Sequence, residues 1–221
     1  MITQEDIFKC AGWQAINRMG QIASINHIFS QNYSDLNNLL LKIYYTIEPT
    51  EEIYQEIHQR LEQYIFNFLA ASFALTDNCR KVMAFYKETD LYKKYQQKVD
   101  NEFAKDTLAN FIRQLRNYQT HYKLEFPTPV RSLDDNTHWD VVFISDELLK
   151  HPNEWNSLSK QYITQCGKEI NIGKMSADYN HKIDMFYHWL YGELKAYHKE
   201  DFAERDKLFE EIGWKLPRLS I

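Results

Sequence analysis

The chain has 221 residues, 44% apolar and 15% aromatic, with a formal net charge of −5. That apolar content supports a packed core and excludes wholesale disorder, and only 6 Gly and 5 Pro favour long helices over many turns. A net negative charge argues against a surface that coats nucleic acid indiscriminately.

Residues 3–30 carry helical spacing (Ile7, Trp13, Ile16, Ile22, Ile25) and are predicted as two short helices around Gly20. Asp35 to Ile47 reads as a further, Leu-rich helix. Pro49-Thr50-Glu51-Glu52 then supplies a helix start, with Thr50 as N-cap and acids in the first turn. Apolar residues come next at 57, 61, 64, 68, 75, 79, 82 and 86 with no Gly or Pro between. A helix of about 35 residues would be roughly 50 Å long, and only a bundle partner or a second subunit covers such a stripe. A charged link, Lys87 to Asp100, leads into a helix over about 101–123, stopped by Pro127 and Pro129. Asp140-Val-Val-Phe-Ile144 is the one convincing strand. Ser145-Asp-Glu resembles a helix start, which Pro152 interrupts. Helices cover 153–166, 176–198 and 200–212, with Gly167 and Gly213 as C-terminal caps.

The expected fold is all-α: an antiparallel helical bundle with additional C-terminal helices and at most one or two short strands. Its expected organisation is N-terminal helices (1–34) packing on a bundle (35–127), then an accessory, mostly helical region (128–221), separate or part of the same domain. Three scattered cysteines (Cys10, Cys79, Cys166) without a Cys-x-x-Cys fit a reducing cytosol. The start, MITQEDIFKC, lacks the basic and apolar regions of a secretory signal. The most apolar run, Tyr64 to Leu75, is broken by Asn67 and Ser72 and is too short for a bilayer. A cytoplasmic protein without a membrane partner is therefore expected.

The chemistry concentrates in Ile112-Arg-Gln-Leu-Arg-Asn-Tyr-Gln-Thr-His-Tyr122. At about 100° per residue, Arg113, Arg116, Asn117, Thr120 and His121 fall within an arc of roughly 140°. Leu108, Phe111, Ile112, Leu115, Tyr118 and Tyr122 take the other side. One face is built to pack, and the other to meet a polar, anionic group. From Arg80 to Arg131 there are 11 Lys/Arg against 6 Asp/Glu, while the remainder holds 15 against 25. The motif thus lies in the one basic segment of an acidic chain, where a phosphodiester would be attracted. Histidine serves as acid or base near neutral pH. Arginine stays charged and grips phosphate through a planar fork. Asn117, one turn before His121, is placed to orient it.

Arg116-Asn117-Tyr118-Gln119-Thr120-His121 has the form Arg-Asn-x-x-x-His. Set late in a helical bundle behind a long helix, it resembles the signature of the HEPN family (higher eukaryotes and prokaryotes nucleotide-binding domain) over residues 35–125. Many members are metal-independent endoribonucleases of toxin–antitoxin, abortive-infection and CRISPR systems. The resemblance implies catalytic roles for Arg116 and His121, with Asn117, Arg113 and Thr120 supporting. It implies RNA as substrate, 2′,3′-cyclic phosphate and 5′-hydroxyl products, and neither metal nor cofactor. It also implies an antitoxin or other regulatory protein as partner, and a homodimer with the motifs facing each other. Arg116 and His121, roughly 140° apart on a straight helix, are awkward for one chain to aim at one phosphate, and a two-chain site relieves that. Tyr118 is either a packed aromatic or, by the same resemblance, an acceptor for AMP. Where some members extend the motif to His-x-Tyr, this chain has His121-Tyr122-Lys123.

A second reading is a non-catalytic helical dimer acting as RNA-binding or protein-interaction scaffold. It would show the motif face covered by the chain's own acids, with Arg116 paired to Glu102, Asp106 or Glu125 and His121 serving as a helix cap. His181, Asp184 and His188 share a helix stripe and could offer metal ligands, but a solvated face explains them without a metal.

Overall fold

Two helices of more than thirty residues form the spine in the computed structural model, which describes residues 3–46, 51–121, 127–132 and 138–213. After a short α1 (Gln4–Lys9), α2 runs from Ala11 to Tyr44 and α3 from Glu51 to Met83. α2 and α3 pack along their length and run antiparallel, since Phe29 meets Phe68 while Arg18, earlier on α2, lies over Phe85 and Tyr86 just past the end of α3. Buried Leu61, Ile65, Phe68, Leu75, Cys79 and Val82 of α3 meet Met19, Ile22, Phe29, Leu36 and Leu40 of α2. The long helix expected after Pro49 is therefore present; its proposed cap, Thr50, lies outside the described residues.

Three expectations for this half are corrected. The N-terminal region is not two short helices around Gly20, because α2 passes straight through it. The buried stripe continues on both sides (Ala15, Met19, Ile22), and its packing outweighs the roughly 1 kcal/mol a helical glycine costs. The same continuity places the expected boundary at residue 34 in mid-helix. Residues 87–100 are not a link either: a 3₁₀ turn (Ala84–Tyr86) leads into α4 (Asp90–Val99), capped by the Thr89 hydroxyl and seated by buried Leu91 and Tyr95. A π turn (Asp100–Ala104) comes next, and the motif helix α5 begins at Thr107, ending at His121.

A Cβ built on Gly20 meets nothing within 4 Å. Gly20→Ala is thus expected to stabilise the chain by about 0.5–1 kcal/mol, read from the urea midpoint, since it restricts only the unfolded state. A loss of stability would show that the glycine has another task.

Among its described residues the second half contains three strands, one more than expected. β1 (Thr128–Ser132), β2 (His138–Ile144) and β3 (Glu169–Asn171) form an antiparallel sheet in that order, with Thr128 opposite Val142 and Phe143 opposite Ile170. Pro129 is tolerated because β1 is an edge strand. Around the sheet lie α6 (Ser145–Leu149), a 3₁₀ turn (Pro152–Glu154), α7 (Ser157–Cys166), α8 (Ile172–Tyr197) and α9 (Lys199–Glu211). Gly167 (φ 79°) and Gly213 (φ 72°) end α7 and α9 as anticipated.

These later elements pack into the first half. α7 lies on α5, while α8 contacts α2, α4 and α5. α9 docks on α1, α2 and α8. Gly12 permits the last approach, since a Cβ there would stand 2.3 Å from the Asp201 carbonyl oxygen. Buried His198 ties the same corner, its Nε2 2.9 Å from the Tyr86 hydroxyl and its Nδ1 2.6 Å from Asp201 Oδ2. Among the described residues, no helix is long and apolar enough to cross a membrane.

Candidate functional site

The start of α5 explains where its basic residues point. Asp106 Oδ1 accepts the Ala109 backbone N–H at 2.7 Å, capping the helix, and Asp106 Oδ2 lies 3.1 Å from Lys182 Nζ on α8. Asn110, 4% exposed, is the hub of this corner. Its Nδ2 donates to the carbonyls of Asp106 (2.8 Å) and Ala104 (3.1 Å), closing the π turn. Its Oδ1 accepts from the Arg113 guanidinium at 2.7 Å and from Asn156 Nδ2 at 3.2 Å. A buried asparagine with both ends engaged fixes α5 against the π turn and α7 while aiming Arg113 outward.

Further along α5, the Arg116 guanidinium stacks over the Phe73 ring, 4.2 Å from its centroid, and donates to Asn117 Oδ1 at 3.2 Å. Asn117 therefore serves Arg116; the hydrogen bond to His121 expected from spacing alone is not formed among the described residues. The Thr120 hydroxyl donates to the Arg116 carbonyl at 2.8 Å, so its proton is occupied by the helix backbone. His121 is the last residue of α5, exposed, where a cation suits the helix dipole. Tyr118 resolves as the packed aromatic. It is 1% exposed, its ring 5.1 Å from that of Trp155 and 6.0 Å from that of His151. Enclosed in this way, it is not presented as an acceptor for AMP. Tyr122 and Glu125 lie outside the described residues.

α3, α4, α5 and α8 line a half-open cavity of about 330 Å³ beside this face. Arg113 and Arg116 line it together with Arg80 of α3, which no motif singled out. Its signal in the sequence was only membership of the basic segment. Arg80, Arg113 and Arg116 form no ion pair among the described residues. The acids proposed as partners are taken: Glu102 pairs with Lys98 at 2.5 Å and Asp106 with Lys182. His121 is not part of the cavity wall.

No protein-family model matches this chain, and no curated protein or solved structure does either. The site therefore stands on its own geometry. Among the described residues no group of three or more His, Cys, Asp or Glu is placed to hold a metal. His181, Asp184 and His188 are all exposed along α8.

The inner end of the cavity is neutral. Cys79, beside the Tyr95 and Tyr187 hydroxyls, is pushed by burial from 9.0 to about 11. Burial also raises both tyrosines and takes Tyr179 to about 12. Folded Cys79 keeps its proton to a higher pH than the unfolded chain does. Its contribution to stability is complete below pH 9 and is lost between pH 9 and about 11, at about 1.4 kcal/mol per pH unit. Melting curves from pH 8 to 11 should fall accordingly, and more gently in Cys79→Ala. Identical slopes in both proteins would assign the alkaline loss elsewhere.

Proposed function

We propose that the chain is a metal-independent endoribonuclease of HEPN type, acting as a two-fold homodimer in bacterial defence or toxin–antitoxin control. The observation that carries this reading is the state of the motif face. Arg113, Thr120 and His121 are exposed, Arg116 is half-buried but stacked and unpaired, and no acid of the described residues neutralises the arginines. A motif face covered by the chain's own acidic segments would have pointed to a scaffold. Here acidic α9 packs on α1, α2 and α8 instead.

In this mechanism one proton leaves the ribose 2′-hydroxyl as its oxygen attacks the adjacent phosphorus. The bond to the 5′-oxygen breaks, and that oxygen takes up a proton. His121 supplies the acid–base function. The Arg116 fork stabilises the charge gathering on the non-bridging oxygens, and Arg113 holds a neighbouring phosphate. Along α5, Arg116 and His121 are separated by roughly 7.5 Å of rise as well as by angle, so the site is composed from both subunits.

The non-catalytic scaffold reading draws on one observation, that Asn117 engages Arg116 and leaves His121 unoriented within the described residues. Incubation of the purified protein and of His121→Ala with labelled single-stranded RNA in EDTA separates the two. Cleavage that resists EDTA, yields cyclic-phosphate ends and disappears in the variant is expected. Equal cleavage by both proteins would refute the assignment.

A further inference from the structure

We propose that the cavity between α3, α4, α5 and α8 binds a small organic anion, with a carboxylate or phosphate head at its arginine-lined mouth and a flat apolar body inside. Its volume of about 330 Å³ falls at the small end of the range of ligand pockets.

The two ends differ in chemistry. Arg80 and Arg113 are exposed and Arg116 half-buried, so the guanidinium groups mark the solvent end. Buried Cys79, Tyr95, Tyr187 and Phe186 mark the inner end. There the Cys79 thiol faces the Tyr95 and Tyr187 hydroxyls, and the Tyr187 hydroxyl donates to the Leu75 carbonyl at 3.4 Å. Buried and uncharged, these groups ask for no charged ligand atom. Between the ends, Phe103, Ile112 and Ile183 supply apolar wall. Two carboxylates also border the space. Asp77 is held by Lys81 at 2.7 Å and Asp100 is exposed, which leaves the mouth net positive.

Three guanidinium groups without carboxylate partners select an anion and reject a cation, and their forks suit a planar or tetrahedral oxyanion. The apolar walls reject a naked inorganic ion, which would leave them empty, and a volume of about 330 Å³ suits a small molecule. An amphiphile of about naphthalene size satisfies both ends. This inference needs neither His121 nor a dimer, so the absence of RNA cleavage would not touch it.

Titration of the full chain with 2-naphthoate, read by calorimetry, tests it directly. Saturable binding at one site per chain is expected. The uncharged 2-naphthalenemethanol should bind about tenfold more weakly or worse, and Arg80→Glu should weaken 2-naphthoate by at least about as much. Ile183→Phe, which fills the apolar wall, should abolish binding with all three arginines in place. Arg80 is exposed, so its variant keeps the test valid if Ile183→Phe fails to fold. A parallel titration with 2-naphthyl phosphate identifies the head: the tighter of the two anions names the source of the natural ligand. Saturable binding of neither anion, or affinity unchanged in Arg80→Glu, would overturn the proposal.

Discussion

His121→Ala and Arg116→Ala should each lower RNA cleavage by about two to four orders of magnitude while leaving the helical signal and the melting temperature near wild type. His121 is exposed at the end of α5, so its truncation creates no cavity. Arg116 loses its stacking on Phe73, worth about 0.5–1 kcal/mol at a partly exposed position, too little to unfold the chain. Arg116→Lys should fail nearly as badly as alanine, because an ammonium keeps the charge and loses the fork. Arg113→Ala should cost about tenfold or less, as an auxiliary phosphate contact on an exposed side chain. Mixing the two inactive variants gives the sharpest readout. In a two-chain site, a mixed dimer has one site with both residues intact, and cleavage partly returns. No recovery on mixing would place the whole site within one chain. Full cleavage by either pure variant would remove the mechanism.

The largest loss of stability is expected from Phe111→Ala, at about 3–5 kcal/mol. Phe111 is fully buried on α5, stacked on Tyr162 (centroids 4.9 Å apart) and Trp155 (5.6 Å). It joins the motif helix to α7 and to the turn before it. For a chain of this length the melting temperature should drop by roughly 10 °C, and Phe111→Leu should lose a fraction of that. The same seam carries the bond from Asn156 to Asn110. Loosening it should therefore also free Arg113, an effect visible as faster amide exchange at the start of α5. A loss below about 1 kcal/mol would show that α7 is not what holds the motif helix.

The long helix α3 was legible because its apolar rhythm runs from Leu61 to Tyr86 without a breaker, and the packing face of α5 was legible for the same reason. α2 departs from its sequence reading at two points, Gly20 and the region near Asp35. Local propensity suggests an end at each, and the continuing buried stripe against α3 overrides it. α4 was hidden by its charges, since only Leu91 and Tyr95 of its ten residues are buried. β1 and β3 are short; one contains a proline, and the other is three residues between a glycine cap and a helix start. Of the site, Arg113 and Arg116 could be found from composition and spacing. Asn110 and Arg80 could not: the first matters through backbone carbonyls of a π turn, and the second stands on a helix whose alignment with α5 is set by packing. Neither relation has a sequence period.

The stacking of Arg116 on Phe73 has a consequence for conformational entropy. A free arginine samples many rotamers and loses them when it captures an anion, at a cost of about 0.5–1.5 kcal/mol for an immobilised side chain of this kind. Against the ring, much of that disorder is already surrendered when the chain folds. Whatever anion Arg116 meets then finds a guanidinium with its plane held in advance, and gains in affinity from a contact it never makes. Phe73→Ala would keep every charge of the face and still weaken its grip.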